Sequence, residues 1–304
     1  MTSLAMIAPA EDGFLRRLSR RPLAMASAAI LALVALLALL APVFAHWSGI
    51  DPNAVDLLSR FEPPSARHWL GTDDIGRDVL LRLLMGGRVS LFVGLTAALG
   101  AAIIGTVIGL MAGYWGGRAD AALMRVTDGV IALPLLPLLI VLAAIDLAKL
   151  GVPDAIATSD QASLYRIIVI IVLTGWTTVA RLVRGAVLSV RTRDYVLAAI
   201  GQGAGPWRIM AIHILPNVAA PIVVATTLSV GTVILTETVL SFLGLGIQPP
   251  LPSWGNMLTN AQELLTTAPM LAIWPGLLIF VTVIACNLLG DGLQDALDPR
   301  AAQG

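Results

Sequence analysis

Residues 22–45 read PLAMASAAILALVALLALLAPVFA, and this run contains no Asp, Glu, Lys or Arg. A helix needs about 20 mostly apolar residues to cross the roughly 30 Å hydrocarbon core of a bilayer. Val43-Phe44-Ala45 resembles the cleavage site of a signal peptide, but the apolar region of a signal peptide is only about 7–15 residues long. The longer run therefore predicts a retained first transmembrane helix.

Further apolar blocks follow, each compatible with a membrane-spanning helix. They are Val89–Ala112, Ala121–Ala148, Leu164–Ala180, Val218–Leu240 and Pro269–Leu289. Of the 304 residues, 57% are hydrophobic and 12% are charged, whereas soluble domains carry about 25% charged residues. Because helices satisfy their own backbone hydrogen bonds in lipid, the sequence predicts an all-α polytopic membrane protein with six transmembrane helices.

The arginines before the first block decide the predicted orientation. Arg16, Arg17, Arg20 and Arg21 precede it, and an excess of basic residues marks the cytoplasmic side of a membrane. We therefore expect a cytoplasmic N-terminus and, after six spans, a cytoplasmic C-terminus. The predicted organisation is residues 1–45 for the N-terminus and first helix, 46–88 for a periplasmic loop ending in the amphipathic stretch Asp78–Met85, 89–290 for a five-helix core, and 291–304 for the C-terminal tail.

Several classes of function lack the residues that they need. The 19 basic and 19 acidic side chains cancel, so no net charge attracts nucleic acid. Three distant histidines and the single Cys286 provide no metal-binding cluster. Lys149 is the only lysine, and Ala148 before it excludes a phosphate-binding G-x-x-x-x-G-K-[ST] loop. We expect no catalytic residue, metal or cofactor in this chain, so energy for transport would come from a partner chain or an ion gradient.

Residues 181–217 are polar enough to leave the membrane, and their part from 191 to 217 contains strong helix signals. We predict a first short helix over Asp194–Gln202, with Asp194 as its N-cap, and a break at Gly203. Pro206 fits the first turn of a second helix over Pro206–His213. Pro216 is expected to end that second helix before the fifth apolar block.

The first of these short helices has a distinctive surface. Tyr195, Ala198, Ala199 and Gln202 are predicted to share one face. Two alanines beside a tyrosine form a close-approach surface with one aromatic anchor, and such a helix can lie in a groove on another protein. The alternative is an elbow on the membrane surface that binds no partner.

Ionisable residues in the apolar blocks have functional and structural interpretations. Glu237, near the outer end of the fifth block, is expected either to line or gate a pathway or to make a polar contact between helices. Asp128 is expected to pair locally with Arg125. Asp146 and Lys149, also three residues apart, are expected to form an exposed outer pair.

Residues near the predicted outer boundary are open to two interpretations as well. An aromatic belt explains the tryptophans there more simply than a substrate cage. These are Trp47, Trp69, Trp254 and Trp274. Three acidic residues, Asp73, Asp74 and Asp78, either face a partner protein or cap the amphipathic stretch.

Several stretches together resemble one family of transport proteins. Residues 195–217, YVLAAIGQGAGPWRIMAIHILPN, are similar to the EAA loop of ATP-binding-cassette permeases, which ends in I-L-P-N. The other matching stretches are HWLGTDDIGRD at 68–78, GRVSL at 87–91, AGYWGG at 112–117, LSFLGLG at 240–246, WGNM at 254–257 and NLLGDGLQDALDPR at 287–300. The chain resembles the second permease (DppC/OppC type) of importers for dipeptides, oligopeptides, nickel and glutathione.

This resemblance implies a fold, a location and a set of partners. The fold would be that of a type I ABC importer permease with short cytoplasmic coupling helices, in the bacterial cytoplasmic (inner) membrane. The partners would be a second permease of the DppB/OppB type, two ATPase subunits that bind MgATP, a periplasmic solute-binding protein and membrane lipid, without nucleic acid. A peptide-like solute would cross between the two permeases.

The resemblance also assigns candidate residues. Contacts to an ATPase subunit would be made by Tyr195, Ala198, Ala199, Gln202, Gly203, Ala204, Trp207 and Arg208. The pathway or gate candidates are Glu237, Ser241 and Asn287, and the periplasmic contact candidates are Asp73, Asp74, Arg77 and Asp78. The chain departs from the family pattern at Leu197, where an acidic residue is usual, and at Pro206 and Gln294.

Two other functions stay open on the sequence alone. One is a stand-alone proton- or sodium-coupled carrier, and the other is a membrane scaffold that transports nothing. An ion-coupled carrier needs ionisable residues near the middle of the membrane, and the first, second and sixth blocks have none. Transport by the chain alone would favour the carrier. Neighbouring genes for an ATPase and a solute-binding protein would argue against the scaffold.

Overall fold

The computed structural model describes residues 14–145, 149, 151–153, 155, 159, 161–259 and 261–297. Its helices are α1 Phe14–Ser19, α2 Pro22–Ser48, α3 Val79–Trp115, α4 Gly117–Ala132, α5 Leu135–Ala144, α6 Ala162–Val190, α7 Asp194–Gly201, α8 Pro206–Phe242, α9 Ala261–Thr267 and α10 Met270–Leu297. Within these described ranges no strand forms, and the one β-bridge joins Thr72 and Asp78. The all-α fold class is therefore confirmed.

Five helices, α2, α3, α6, α8 and α10, are each long and apolar enough to cross a membrane, and α4 with α5 makes a sixth only as a bent pair. The bend is 85°, so the prediction of one uninterrupted helix over Ala121–Ala148 is wrong. Leu133 and Pro134 are both extended, and Pro134 is the N-cap residue before α5. Proline has no N–H for the helix ladder, and its ring clashes with the preceding turn.

The limits of the other helices also differ from the apolar blocks. α3 begins at Val79, so the amphipathic stretch Asp78–Met85 belongs to this helix and shortens the predicted outer loop. α6 continues to Val190 and α10 to Leu297. A hydropathy pattern identifies only the part of a helix that contacts lipid. Backbone hydrogen bonds continue the helix beyond it into the polar region. Arg300 and Asp146 lie outside the described residues.

Close packing of α3 against α6 forms the centre of the bundle. Gly105, Gly109 and Gly113 recur every four residues along the contacting face of α3. An added Cβ atom at Gly109 would lie 2.7 Å from both the Ala180 carbonyl oxygen and the Val183 Cβ atom. Small residues at this spacing let membrane helices approach closely, so this stripe places α6 directly on α3.

The remaining long helices pack around this pair. α8 contacts α3, α6 and α10, while α2 packs on α10 and α3. α2 leaves most of its apolar side chains exposed, as expected for a helix that faces lipid. We call the end of the bundle with residues 243–259 the outer end, and the end with residues 191–208 the coupling end.

Candidate coupling site and outer polar cluster

The short helix α7, Asp194–Gly201, stands at the coupling end between α6 and α8. Arg193 is the extended residue before it, and Asp194 is its first helical residue without a side-chain capping hydrogen bond. The prediction that Asp194 is the N-cap is therefore wrong by one position. Gly203, with φ +80°, ends the segment in the left-handed conformation that favours glycine.

The exposed face of α7 is more apolar than predicted. Tyr195 is 43% exposed and Leu197 53% exposed, and Ala198 and Gln202 are also exposed. Ala199 is buried instead, so its predicted place on the same face is wrong. Its inward neighbour Val196 joins the buried cluster of the coupling end with Ile209 and Ile214. α7 turns this side inward because two small apolar side chains three residues apart fit against the start of α8.

The second predicted short helix is continuous with α8. Pro206–Arg208 is α-helical, Ile209–Ile214 is π-helical, and the helix then continues through Pro216 to Phe242. Within the π segment the Leu215 amide donates to the Met210 carbonyl. Pro216 has no N–H for the carbonyl one turn earlier, and a widened turn before it relieves the clash. The prediction that Pro216 ends this helix is therefore wrong.

The remaining candidate contact residues surround the turn between α7 and α8. Gly203 and Arg208 are exposed, Ala204 is half-buried, and Trp207 is 65% exposed. The ring of Trp207 packs edge-on against Trp115 at the end of α3, with 5.7 Å between ring centroids and 85° between planes. An exposed surface on this turn is thus linked to the centre of the bundle.

Two arginines, one within α6 and one directly after it, join the coupling end to its neighbours. Arg191 donates from Nη1 to the carbonyls of Gly113 and Tyr114 in the last turn of α3, at 2.9 and 3.2 Å. Arg184 binds the Asp120 carboxylate of α4 through two hydrogen bonds of 2.5 and 2.6 Å. Arg191 therefore ties the turn after α6 to α3, and Arg184 ties α6 itself to α4.

Asp128 makes a different ion pair from the predicted one. Its carboxylate accepts from Arg181 Nη2 of α6 at 2.5 Å, and the pair with Arg125 is not among the ion pairs of the described residues. Side chains three apart on one helix can meet, but α4 lies against α6 and presents Asp128 to it. Tertiary packing therefore decides this partner.

Glu237 lies in a buried polar cluster at the outer end. Its side chain is fully buried. Ser241 Oγ donates to Glu237 Oε1 at 2.6 Å, and Ser90 Oγ of α3 donates to Oε2 at 3.4 Å. Backbone amides in the loop after α8 donate to the same hydroxyls, Trp254 to Ser90 and Ile247 to Ser241, both at 3.1 Å. This geometry favours the interpretation of Glu237 as a polar contact between helices. The third pathway candidate, Asn287, lies elsewhere and is exposed on α10.

The tryptophans do not all form an aromatic belt. Trp47 and Trp69 are exposed and pack around Phe44. The centroid of the Phe44 ring lies 5.9 Å from that of Trp47 and 5.6 Å from that of Trp69. Trp254 is buried, and its indole N–H donates to the Leu83 carbonyl at 3.0 Å. Its assignment to the belt is therefore wrong, because Trp254 anchors the outer loop in the core. Trp274 is half-buried.

The outer acidic residues mainly organise the loop. Asp78 caps α3 by accepting from the Leu81 amide at 2.7 Å, as one sequence interpretation predicts. Asp73 accepts from the amide and Nε of Arg77 at 2.9 and 2.7 Å, and Asp74 has the most exposed of these carboxylates.

A further carboxylate, Asp56, caps the short turn that follows it in the outer loop. Hydrogen bonds from the Ser59 hydroxyl and the Leu58 amide hold the pKa of this Asp56 carboxyl below its usual value. Ionisation keeps the carboxylate an acceptor for both groups.

Comparison with known proteins identifies the family. The model of the binding-protein-dependent transport system inner membrane component matches residues 105–303, and that of the N-terminal TM domain of oligopeptide transport permease C matches residues 12–64. The oligopeptide transport permease OppC of Bacillus subtilis is 40% identical over 290 residues, 95% of this chain and 89% of that protein. The glutathione transport permease GsiD of Pectobacterium atrosepticum is 40% identical over 287 residues, 94% and 90% of the two chains.

The chain belongs to this permease family. It is a permease subunit of an ABC importer with the type I importer fold, a multi-pass protein of the inner membrane and not an enzyme. The resemblance inferred from the EAA loop is confirmed. The roles of individual residues stay predictions.

Sequence reasoning missed several residues of the permease that the fold brings together. Arg191 and Trp115 connect the coupling turn to α3, and Arg184 connects α6 to α4. Asp120 and Arg184 are 64 residues apart in the chain. Their opposite charges were visible in the sequence, but no spacing rule joins residues on separate helices.

Proposed function

We propose that this permease forms, with a second permease of the DppB/OppB type, the membrane pathway for a peptide-like solute. A periplasmic solute-binding protein delivers the solute, and two separate ATPase subunits that bind MgATP drive transport. The names of the relatives, oligopeptide, dipeptide and glutathione permeases, support this substrate class. The N- and C-termini lie in the cytoplasm, as the N-terminal arginines predict.

The observation that carries the proposal is the exposed apolar surface of α7. Tyr195, Leu197 and Ile200 are each 43–53% exposed on a helix of only eight residues. Exposed apolar side chains at a chain turn favour burial against a partner, and a helix laid in a groove is a common arrangement. In the proposed complex, Leu197 makes an apolar contact where the family usually has an acidic residue.

The contacts behind α7 indicate how its movement reaches the membrane helices. The Trp207 ring packs against Trp115, and Arg191 donates a hydrogen bond to the last turn of α3. α3 also packs along the full core against α6 and α8. When the ATPase subunits close on MgATP, a pull on α7 is transmitted to these helices, and the pathway opens to the opposite side.

A substitution at the close-approach surface tests this proposal. Ala198→Arg places a long cationic side chain on the exposed face of α7, whereas Ala54→Arg makes the same change on the exposed outer loop. We expect Ala198→Arg to lose most of the ATPase subunits on co-purification and to lose solute-stimulated ATP hydrolysis. Ala54→Arg should retain both. Equal ATPase recovery and stimulation in the two variants would contradict the proposal, and transport by the purified chain alone would favour an ion-coupled carrier.

A further inference from the structure

A cavity of about 310 Å³, lined by both polar and apolar side chains, opens at the outer end of the bundle. Val79 at the start of α3, Ser241 near the end of α8 and Leu271 near the start of α10 all line it. α8 has 37 residues from the coupling turn to this end, about 55 Å at 1.5 Å per residue. The cavity therefore lies at the opposite end from α7, and its volume is at the lower limit of the about 300–1,000 Å³ typical of small-molecule sites.

Arg82 is the unusual residue in the cavity wall. It is 3% exposed, and its Nη1 atom has no hydrogen-bond partner in the part of the chain that the structure describes. Its nearest carboxylate is Asp73, whose Oδ2 lies 3.6 Å from Arg82 Nε. A buried guanidinium with an unused donor is costly, and this cost is removed by an acceptor that enters the cavity.

The neighbouring polar groups are already hydrogen-bonded. Asp73 accepts from the amide and Nε of Arg77. Asn256 donates to the Leu251 carbonyl at 2.7 Å, and Gln248 donates to the Gly244 carbonyl at 2.8 Å. These contacts fix the loop, whereas the buried Arg82 guanidinium, which lines the cavity, keeps an unused donor.

We propose that this cavity binds the carboxylate of a small peptide-like solute, with Arg82 as the residue that receives it. The choice of a peptide-like solute rests on the proposed function, and the choice of a carboxylate rests on Arg82. The wall carries Asp73 and Asp74 against Arg77 and Arg82, so its formal charges cancel, and a solute with one carboxylate and one ammonium group fits it better than a multiply charged anion such as phosphate. Asp74 has a 44% exposed side chain, and its contact with Arg77 is 4.0 Å long, so it suits an ammonium group on the same solute.

Ligand binding to the full-length permease, co-purified with its partner subunits in lipid nanodiscs without a solute-binding protein, tests the inference. Radiolabelled alanylalanine is the probe, with unlabelled alanylalanine and alanylalaninamide as competitors. We expect saturable binding, with the amide competing at least tenfold more weakly. Arg82→Gln should raise Kd about 10- to 100-fold, as expected for a lost hydrogen bond to a charged group. Arg82→Lys should weaken binding less, and Arg88→Gln, which changes an exposed arginine of the same helix, should leave Kd unchanged.

Three results would overturn the inference. They are equal competition by the amide, an unchanged Kd in Arg82→Gln, and no saturable binding of either alanylalanine or glutathione to the wild-type complex. If thermal unfolding shows that Arg82→Gln does not fold, the comparison of acid and amide on the wild-type complex decides.

The same measurements separate this inference from the proposed function. A wild-type complex that transports these peptides with a solute-binding protein, yet does not bind them without it, refutes the cavity site and leaves the proposed function intact. A second result would also refute the cavity site: Arg82→Gln no longer captures the solute-binding protein but still binds alanylalanine as wild type does. It would indicate that an acidic side chain of the solute-binding protein occupies the cavity. Failure of the proposed function appears independently as absent ATPase subunits.

Discussion

Replacement of Gly203 by alanine tests whether the turn after α7 transmits movement. Gly203 has φ +80°, and no neighbouring atom lies within 4 Å of an added Cβ. The new methyl group therefore causes no clash, and the cost comes from the backbone alone. A non-glycine residue in the left-handed conformation costs roughly 1–2 kcal/mol. This changes the population of the native turn by a factor of about 5–30.

Such a cost is large compared with the work of a conformational switch. Moving an equilibrium from 1:99 to 99:1 needs about 5.5 kcal/mol of differential interaction, so Gly203→Ala would consume about a fifth to a third of it. We expect solute uptake and solute-stimulated ATP hydrolysis of the complete complex in proteoliposomes to fall about 5- to 30-fold. The ATPase subunits should still co-purify, because the exposed face of α7 is unchanged.

Gly205 provides a matched control two residues away. It too has no atom within 4 Å of an added Cβ, but its φ is −70°, which every residue adopts. Gly205→Ala should keep transport within about twofold, since glycine-to-alanine changes at compatible positions are neutral or stabilising by about 0.4–1 kcal/mol. Gly203→Asn should retain more activity than Gly203→Ala, because asparagine tolerates the left-handed region. Equal activity of Gly203→Ala and Gly205→Ala would refute the reasoning.

Three further substitutions probe stability and the coupling end. Ser241→Ala removes a donor to the buried carboxylate of Glu237 and should lower unfolding free energy by about 1–3 kcal/mol in thermal unfolding of the purified permease. Ser229→Ala removes only a hydrogen bond to a carbonyl of its own helix and should change the unfolding free energy little. An equal loss of stability in Ser229→Ala and Ser241→Ala would contradict the role of Ser241 as a donor to Glu237. Asp78→Ala removes both the cap of α3 and the 2.9 Å contact between Asp78 Oδ2 and His68 Nδ1, and the lost cap alone should lower stability by about 0.5–2 kcal/mol. Asp78→Asn keeps a comparable cap and should lose less stability than Asp78→Ala. An equal loss in the two variants would show that capping is not the cause. Arg191→Gln should speed amide hydrogen exchange in the last turn of α3, because its carbonyls lose their cationic donor; unchanged protection there would show that α3 ends independently of Arg191.

The membrane-spanning character of the chain could be predicted because lipid imposes a local rule. A long run such as residues 22–45 is recognised by length and apolarity, whatever its neighbours are. The same holds for α7, where Gly203 and Pro206 mark the turn by their own backbone restrictions. Rules of this kind act within a few residues, so they locate helices well and their ends less well.

Prolines show where the local rule is insufficient. Pro134 breaks its apolar block with an 85° bend, whereas Pro216 and Pro221 lie inside α8. The difference depends on whether neighbouring structure supports a π turn or an extended residue before the proline. A hydropathy profile does not report this support, so it could not distinguish the two cases.

The sequence by itself determined that this chain is a helical membrane permease and which segment forms α7, because both follow from local apolarity and short motifs. The tertiary structure alone decided that Asp128 pairs with Arg181, that Ala199 faces inward and that Trp254 is buried. It also decided that Glu237 meets Ser90, 147 residues earlier in the chain. These outcomes depend on which helix faces lie against each other, and that is fixed by close packing such as the α3–α6 glycine stripe, which no single segment encodes.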